Sequence, residues 1–265
     1  MNASPSLQSG LLSGLTAVVT GASSGIGRAI ALEFARSGAN LVLHARANAA
    51  ALARVAEEVR GAGADAAELL YDLAGPTACS DLVEHAFAGR TVDIWVHNAG
   101  ADVLTGAQVE LDFNEKLELL WRVDVCGTIN VCREVGRRMK QHASGVILTV
   151  GWDQAATGME GDSGEMFATV KGAVMAFSRS LAKSLAPEVR VNCLAPGWIQ
   201  TKWGESAPDH WRKRAEEESL LGRWGTPQDV AAAAAFLASP QASFLTGQVL
   251  NINGGFAGSA RRLTE

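Results

Sequence analysis

The sequence predicts a doubly wound α/β fold, in which a parallel sheet is covered by helices on both faces. Short runs of apolar and β-branched residues alternate along the chain with longer stretches of helical character. The short runs are apolar throughout, which is typical of strands that are buried on both faces. Neither an internal repeat nor a low-complexity linker interrupts this alternation, so we expect a single domain.

The alternation predicts the elements in chain order. Strands are expected at 16–20, 41–44, 67–71, 94–96, 146–150, 189–192 and 249–252. Helices are expected near 25–37, 48–61, 76–89, 112–142, 165–186, 206–220 and 227–238. Gly38 ends the first helix, and Gly61 and Gly63 end the second. The domain is expected to span 13–257, with a flexible N-terminal tail at 1–12 and a C-terminal tail at 258–265.

Composition narrows the class of protein. With 48% hydrophobic and 19% charged residues, the chain fits a soluble globular domain. A net charge of −5 without a clustered basic face argues against a nucleic acid partner. No apolar run approaches the roughly 18 residues that span a bilayer, and the start of the chain lacks the basic region of a signal peptide, so no membrane partner is expected. The scattered cysteines favour a reducing cytoplasm and no metal site; they are Cys79, Cys126, Cys132 and Cys193.

A glycine-rich loop joins the first predicted strand to the first predicted helix. It reads Thr20-Gly-Ala-Ser-Ser-Gly-Ile-Gly27. Gly21 permits the turn, and Gly25 and Gly27 allow the backbone to approach a ligand closely. The free N–H groups and the dipole of a helix N-terminus favour anions, so the loop predicts a pyrophosphate site, with a purely structural turn as the alternative.

Further motifs follow in a characteristic order. They are Asn98-Ala99-Gly100, Lys171, Pro196-Gly-Trp-Ile-Gln-Thr201, Gly222-Arg-Trp-Gly-Thr-Pro227, Leu245-Thr-Gly-Gln248 and Gly254-Gly255. Together with the glycine loop, they make the chain resemble the classical short-chain dehydrogenase/reductase (SDR) family over about residues 13–257. The resemblance implies a Rossmann-type sheet of about seven parallel strands, a nicotinamide cofactor and a small-molecule substrate. It also implies a homodimer or homotetramer formed through the two long helices, near 112–142 and 165–186.

The resemblance assigns a set of cofactor-binding residues. They are Gly21, Ser23, Ser24, Gly25, Ile26, Gly27, Arg46, Asp72, Leu73, Asn98, Ala99, Gly100, Lys171, Pro196, Gly197, Ile199 and Thr201. An acid at the end of the second strand holds the ribose 2′-hydroxyl of NAD, whereas Arg46 at this point would bind a 2′-phosphate. We therefore expect NADP(H) over NAD(H), unless Arg46 is only a solvated loop residue. Asp72 would contact the adenine, and capping the next helix is a compatible alternative.

The catalytic pattern of the family is largely absent. It uses asparagine, serine, tyrosine and lysine, and the matching positions here are Asp124, Trp152, Phe167 and Lys171. Phe167 and Lys171 share one helix face, so both are expected to point into the cleft. A phenyl ring cannot transfer a proton, and a positioned acid is worth roughly 10²–10⁴-fold in rate. Ordinary ketone or alcohol turnover is therefore expected to be weak or absent.

Three interpretations of this pattern remain open. In the first, an NADP(H)-dependent reductase obtains its acid elsewhere, as from Asp153, or reduces an imine-like substrate that needs none; Asp124 is expected to pair with Lys171 instead of donating. In the second, the protein binds NADP(H) but is catalytically inactive and acts as a sensor or structural partner. In the third, the chemistry is a non-redox elimination, against which the glycine loop and Arg46 argue.

The substrate pocket is expected between three segments, 101–111, 152–165 and 198–215. Its aromatic character would come from Trp152, Trp198, Trp203 and Trp211, although tryptophan more often packs than contacts a ligand. The long helix at 165–186 carries apolar positions that serve either the core or a subunit interface: Val170, Val174, Phe177 and Leu181.

Overall fold

The computed structural model describes residues 10–205 and 207–256, except for the side chains of Trp203 and Glu205. Within this part of the chain a seven-stranded sheet is parallel throughout, which confirms the predicted fold class. The strands are β1 (Thr16–Thr20), β2 (Asn40–Ala45), β3 (Ala66–Leu70), β4 (Ile94–His97), β5 (Gly145–Val150), β6 (Val189–Pro196) and β7 (Val249–Ile252).

The strand order explains where a ligand can bind. The order is β3-β2-β1-β4-β5-β6-β7, so the chain winds outward in one direction from β1 and in the other from β4. The segments that follow β1 and β4 therefore diverge to opposite faces and leave a crevice at the carboxyl edge of the sheet. Every predicted site residue that follows a strand lies at this edge.

Helices cover both faces of the sheet. They are α1 (Gly25–Arg36), α2 (Ala49–Gly61), α3 (Ala78–Phe87), α4 (Phe113–Leu120), α5 (Gly127–Gln141), α6 (Asp162–Leu185), α7 (Lys202–Glu205), α8 (Asp209–Glu218) and α9 (Pro227–Ala238). One apolar core lies between the sheet and α1, α2 and α9. A second lies on the opposite face, beneath α3, α5 and α6. The apolar faces of these helices supply the burial that stabilises the domain.

Some boundaries differ from the predicted ones. The helix expected at 112–142 is α4 and α5 joined by a π-helical turn, Trp121–Cys126. Such a turn has no signal in apolar periodicity. Leu12, placed in the expected tail, is fully buried, and its N–H donates to the carbonyl of Ser37. The folded domain thus includes residues before 13, while 1–9 and 257–265 lie outside the described residues.

The apolar positions of α6 serve the core of this chain. Val170, Val174 and Leu181 are buried, and Phe177 packs half-buried against the second core. All four cysteines are free thiols. In the described ranges no helix is long and apolar enough to cross a membrane, and no cluster of His, Cys, Asp or Glu is arranged to hold a metal ion.

Candidate cofactor and active site

The glycine loop places α1 directly beneath the crevice. Gly21 and Gly25 have positive φ angles of 68° and 54°, which are strained for a residue with a side chain. A Cβ at Gly27 would clash with the carbonyl oxygen of Gly21. The helix begins after Ser24, whose side chain makes no capping hydrogen bond. The N–H groups of the first turn therefore face the crevice without a side-chain cap and suit an anionic ligand.

The remaining loop residues line this turn. Ser23 and Ile26 are half-buried, and Ile26 packs against the first core. Thr20, which was not predicted as a site residue, supports the glycine loop through its side chain. Its hydroxyl accepts hydrogen bonds from the N–H groups of Asn98 (3.0 Å) and Ala99 (2.9 Å). In the sequence, a threonine directly before the first glycine of the loop was the signal that could have identified Thr20.

Asn98 fastens the end of β4 to the glycine loop. Its Nδ2 donates to the carbonyl oxygens of Thr20 (3.0 Å) and Gly21 (3.3 Å). A Cβ at Gly21 would lie only 2.8 Å from this amide nitrogen and 3.0 Å from the Cα of Ala99. The two strand ends that border the crevice are thus held together by backbone contact and one side-chain amide.

The predicted adenine side of the crevice lies at the ends of β2 and β3. Arg46 follows β2 directly and is exposed. Asp72 is also exposed, and its Oδ1 accepts from the N–H of Ala74 (3.0 Å), while Leu73 is buried in the second core. The N-cap of α3 is Thr77, so the alternative role of Asp72 as a helix cap is wrong; the chain makes a further turn before α3 starts.

The segment after β6 reaches across the crevice to the glycine loop. Pro196 ends β6, and the N–H of Gly197 donates to the carbonyl of Ile252 (3.1 Å). Ile199 is buried. The Cγ2 of Thr201 would lie 3.7 Å from a Cβ built on Gly25. This segment and the glycine loop therefore face each other at contact distance.

These features fit a dinucleotide. The uncapped N-terminus of α1 offers backbone donors to a pyrophosphate, and a side chain at Gly21 or Gly27 would clash with Asn98 and with the loop's own backbone, so the loop needs glycine to keep this shape. Arg46 offers a guanidinium beyond the end of β2, where no carboxylate follows the strand.

The π-helical turn presents Asp124 to Lys171. Asp124 is 2% exposed, and its Oδ2 accepts from the Nζ of Lys171 at 2.8 Å. Its Oδ1 accepts from the N–H of Ala101 at 2.7 Å, and a Cβ at Gly100 would lie 2.7 Å from Oδ2. Thr128 donates its hydroxyl to the carbonyl of Asp124 within the irregular turn. The expected Asp124–Lys171 ion pair is confirmed.

The two aromatic residues at the predicted catalytic positions have different surroundings. Phe167, one turn before Lys171 on α6, is half-buried against an apolar cluster that includes Val103, Val125 and Val170. Trp152 is half-buried at the start of the loop that follows β5. Neither side chain carries a group that transfers a proton to a substrate carbonyl.

Asp153 makes its side-chain hydrogen bond on the β6–β7 side of the sheet. Its Oδ2 accepts from the Nδ2 of Asn253 (3.0 Å), and Gly197 leaves room for that carboxylate. Burial raises the pKa of Asp153 above its usual value, and the hydrogen bond from Asn253 partly opposes that rise. Asn253 was not predicted as a partner, since it lies 100 residues away in the sequence.

Two histidines on neighbouring strand ends are held neutral. Burial lowers the pKa of His97 to about 3, and repulsion from Lys171, and from His44 when it is protonated, acts in the same direction. Neither ring nitrogen of His97 has a hydrogen-bond partner among the described residues. Burial lowers the pKa of His44 to about 4, against a hydrogen bond of its Nε2 with the carbonyl of Tyr71 (3.0 Å). His44 thus ties the end of β2 to the residue that follows β3.

Three tryptophans pack together at the rim of the crevice. The ring of Trp198 lies 5.4 Å from that of Trp211 and 5.9 Å from that of Trp224. The Nε1 of Trp198 donates to the Oε2 of Glu218 at 2.8 Å. Trp198 and Trp211 thus pack against each other, and the side chain of Trp203 lies outside the described part of the chain. Glu218 was not predicted, because it is the last of three consecutive glutamates in a charged helix and nothing in the sequence distinguishes it from Glu216 and Glu217.

The chain is similar to known oxidoreductases over most of its length. A family model described as enoyl-(acyl carrier protein) reductase matches residues 21–257. The chain is 34% identical over 255 residues to the 3-oxoacyl-[acyl-carrier-protein] reductase FabG of Chlamydia trachomatis, covering 94% of this chain and 100% of the relative.

Solved structures share the fold. A 3-oxoacyl (acyl-carrier-protein) reductase from Agrobacterium tumefaciens C58 with NADP bound superposes with a TM-score of 0.83 at 32% identity, over 92% of this chain and 95% of that one. A 7α-hydroxysteroid dehydrogenase complexed with NADH and 7-oxo glycochenodeoxycholic acid gives a TM-score of 0.85 at 31% identity, over 97% and 99%.

Proposed function

The chain belongs to the short-chain dehydrogenase/reductase family, and from that membership we propose that it is an NADP(H)-dependent oxidoreductase of a small molecule. The three relatives named above are two reductases and one dehydrogenase, and of the two solved structures one holds NADP and the other NADH. Gly21, Gly25, Gly27 and the N-terminus of α1 would hold the pyrophosphate. Arg46 would bind the 2′-phosphate, which favours NADP(H) over NAD(H).

We further propose that the catalytic set is degenerate. Phe167 would occupy the position of the family's tyrosine, Trp152 that of its serine and Asp124 that of its asparagine. Lys171 would then serve as a cofactor ligand that holds the nicotinamide ribose. Its ammonium group has three donors and gives one to Asp124, which leaves two for hydroxyl groups.

The observation that carries this proposal is the partner of Lys171. The ammonium is paired with the buried carboxylate of Asp124, while the residue one helical turn earlier is a phenylalanine packed among apolar side chains. A lysine whose charge is already balanced, beside a ring without a hydroxyl, has no acid to activate. The pair would orient the ribose and exclude water without moving a proton.

This arrangement restricts the substrate. The nicotinamide, when bound, supplies a hydride, which is one proton and two electrons. Reduction of a ketone would also require a proton for the developing alkoxide, and neither Phe167 nor Trp152 can donate one. An iminium carbon accepts hydride while its nitrogen takes up the π electrons and loses its charge, so no acid is needed. We therefore propose an imine-like or similarly activated small-molecule substrate.

Asp153 is a weaker candidate for the acid. Its raised pKa suits a proton donor, but its carboxylate bonds to Asn253, on the β7 side of the crevice. The same absence of an acid also favours the second candidate function, a catalytically inactive NADP(H)-binding protein that acts as a sensor or structural partner. Non-redox elimination is the third, and the uncapped α1 and its glycine loop oppose it.

We also infer a cytoplasmic homodimer or homotetramer. The free thiols of all four cysteines suit a reducing compartment. The oligomeric state is inferred from family membership. Sedimentation of the purified protein would test it.

One titration followed by one assay tests the proposal. NADPH and NADH are titrated by protein fluorescence, and NADPH consumption is then followed with the 2-methyl-3,4-dihydroisoquinolinium ion and with the matched ketone 1-tetralone. We expect tighter binding of NADPH than of NADH, and faster reduction of the iminium than of the ketone. Binding without turnover would favour the inactive protein, and the absence of binding would refute NADP(H) dependence.

A further inference from the structure

Three of the four cysteines lie together where α3 packs against α5 and the π-helical turn. Cys79 is the second residue of α3, Cys126 ends the π-helical turn, and Cys132 follows on α5. Burial raises the pKa of the Cys79 thiol, and repulsion from Cys126 adds to that rise. Burial also raises the pKa of the Cys132 thiol, with a smaller contribution from Cys79. Because such repulsion acts over short distances, Cys79 has both other thiols as neighbours.

Leu73 is in contact with both ends of this group. Its carbonyl oxygen accepts a hydrogen bond from the thiol of Cys79, at 3.7 Å. Its side chain packs against the start of α5, since a Cβ built on Gly127 would lie 3.7 Å from the Cβ of Leu73. Cys126 directly precedes Gly127. Cys79 and Cys126 thus flank the same residue, which follows Asp72 on the predicted adenine side of the crevice.

The four thiols differ in how easily a reagent reaches them. Cys79 and Cys126 are half-buried, whereas Cys132 is fully buried in the second core. Cys193 is also fully buried, within strand β6. A small oxidant such as hydrogen peroxide can therefore reach Cys79 and Cys126 without unfolding of the core, but not the other two thiols.

Both half-buried thiols lie at irregular points of the backbone. The N-terminus of α3 has no side-chain cap, and Cys79 belongs to its first turn. Cys126 lies in a turn that departs from the regular α-helical hydrogen-bond pattern. A disulfide holds two Cα atoms about 5.5–6 Å apart. These two positions are the parts of the α3–α5 contact that can adapt to that spacing, because regular helix does not have to be broken there.

We propose that Cys79 and Cys126 are a peroxide-sensitive thiol pair, which closes a disulfide between the start of α3 and the π-helical turn. The bond withdraws the Cys79 thiol from the carbonyl of Leu73. It also connects the predicted adenine side to the turn that presents Asp124 to Lys171. In a reducing compartment such a bond is transient and reports oxidation, since thiol reductants reopen it.

The reaction balances with one molecule of hydrogen peroxide. The Cys126 thiolate attacks one peroxide oxygen, the O–O bond breaks, and the hydroxide that leaves takes up the thiol proton as water. The sulfur of Cys79 then attacks the sulfenic acid on Cys126, the S–O bond breaks, and a second water leaves with the proton of Cys79. Two thiols lose two electrons in total, and the peroxide gains them. Cys126 reacts first because burial keeps Cys79 protonated.

Peptide mapping of the full-length protein without cofactor tests the pair, so the outcome does not depend on the proposed function. The reduced protein is treated with hydrogen peroxide, its remaining thiols are blocked with N-ethylmaleimide in denaturant, and the unreduced digest is analysed by mass spectrometry. We expect a linked peptide that contains Cys79 and Cys126, with the loss of both free thiols. Dithiothreitol should restore them.

Single variants test the order of the two steps. In Cys79→Ser a sulfenic acid should persist on Cys126, where dimedone traps it. Cys126→Ser should form no disulfide, and its Cys79 should remain a free thiol under the same treatment. Cys193→Ser is the matched control, because it removes a buried thiol on another strand, and it should form the Cys79–Cys126 bond as the parent does.

Three results would overturn the proposal. The first is the absence of a linked peptide in the treated parent, and the second is a bond from Cys79 to Cys132. The third is a bond between two copies of the chain, seen as a covalent dimer on an unreduced denaturing gel. All three are measured on the parent protein, so they do not depend on whether a variant folds.

Discussion

The proposed cofactor side and the proposed catalytic side of the crevice are built in different ways. The cofactor side, at the ends of β1, β2 and β4, is made of backbone: positive-φ glycines, an uncapped helix N-terminus and strand ends fastened by Asn98. The proposed catalytic side depends on side chains of the π-helical turn, of α6 and of the loop after β5. A backbone site needs a particular chain path, whereas a side-chain site can change chemistry by substitution while the path stays the same.

Two helix N-termini on one face of the sheet illustrate this difference. The N-terminus of α9 is closed by its own capping box, in which Thr226 and Asp229 satisfy each other's backbone N–H groups, and Arg223 pairs with Asp229. The N-terminus of α1 has no side-chain cap. The capped end is structural, and the open end is where an anion can bind.

The largest expected effect tests the catalytic side. Trp152→Ser combined with Phe167→Tyr should raise the rate of 1-tetralone reduction by roughly 10²–10⁴-fold, since it supplies the missing acid and its hydroxyl partner. NADPH consumption measures the gain. Phe177→Tyr, on the same helix but against the second core, is the matched control and should give none. A folded, NADPH-binding double variant without a gain would show that these positions do not match the family's.

The addition of one methyl group at Gly27 should weaken cofactor binding. Gly27→Ala should weaken NADPH binding by roughly 100-fold, or about 2.7 kcal/mol, because its Cβ forces the glycine loop apart. Fluorescence titration measures the affinity. Gly61→Ala meets no atom within 4 Å and should bind as the parent does. Undiminished binding by Gly27→Ala would place the pyrophosphate elsewhere.

Asp124 and Lys171, which form an ion pair between the two sides, should be strongly coupled in their contributions to the free energy of unfolding. Asp124→Asn retains an acceptor for Ala101 but leaves Lys171 without its counter-charge. We expect it to lower the free energy of unfolding by about 2–3 kcal/mol, less than for a fully buried pair because Lys171 keeps some contact with water. Urea unfolding measures this change.

The double variant Asp124→Asn with Lys171→Met separates pairing from simple loss of contacts. It should cost less than the sum of the two single variants, because removing both partners leaves no unpaired charge. If the effects of the two single variants on the free energy of unfolding simply added up to that of the double variant, the two side chains would not be energetically coupled.

The smallest expected effect concerns His97, between the two sides. Its pKa of about 3 lies below the value of 6.5 for an unfolded chain, so below pH 6.5 the unfolded state binds a proton that the native state does not. Stability is therefore lost as the pH falls from 6.5 toward 3, by about 1.4 kcal/mol per pH unit. His97→Asn should reduce that slope, as followed by urea unfolding across this range.

Much of the fold and of the cofactor side could be predicted because the signals are local. Apolar runs identified the strands, and the glycine loop identified the helix N-terminus that faces the crevice. The edge strand β3 was displaced by one residue, since half-exposed positions weaken its pattern. The ion pair between Arg214 and Glu160 could not be predicted, because the two residues lie 54 positions apart and carry no pattern that would pair them.

By itself the sequence determined the α/β class, the order of the site motifs along the crevice, and the presence of phenylalanine one turn before Lys171. These follow from patterns within single elements. Only the tertiary structure decided that Asp124 meets Lys171, that Asp153 turns toward Asn253 and that Thr20 supports the glycine loop. The reason is physical: those contacts depend on how helices pack against the sheet and on an irregular turn in one of them, which the periodicity of any single segment does not encode.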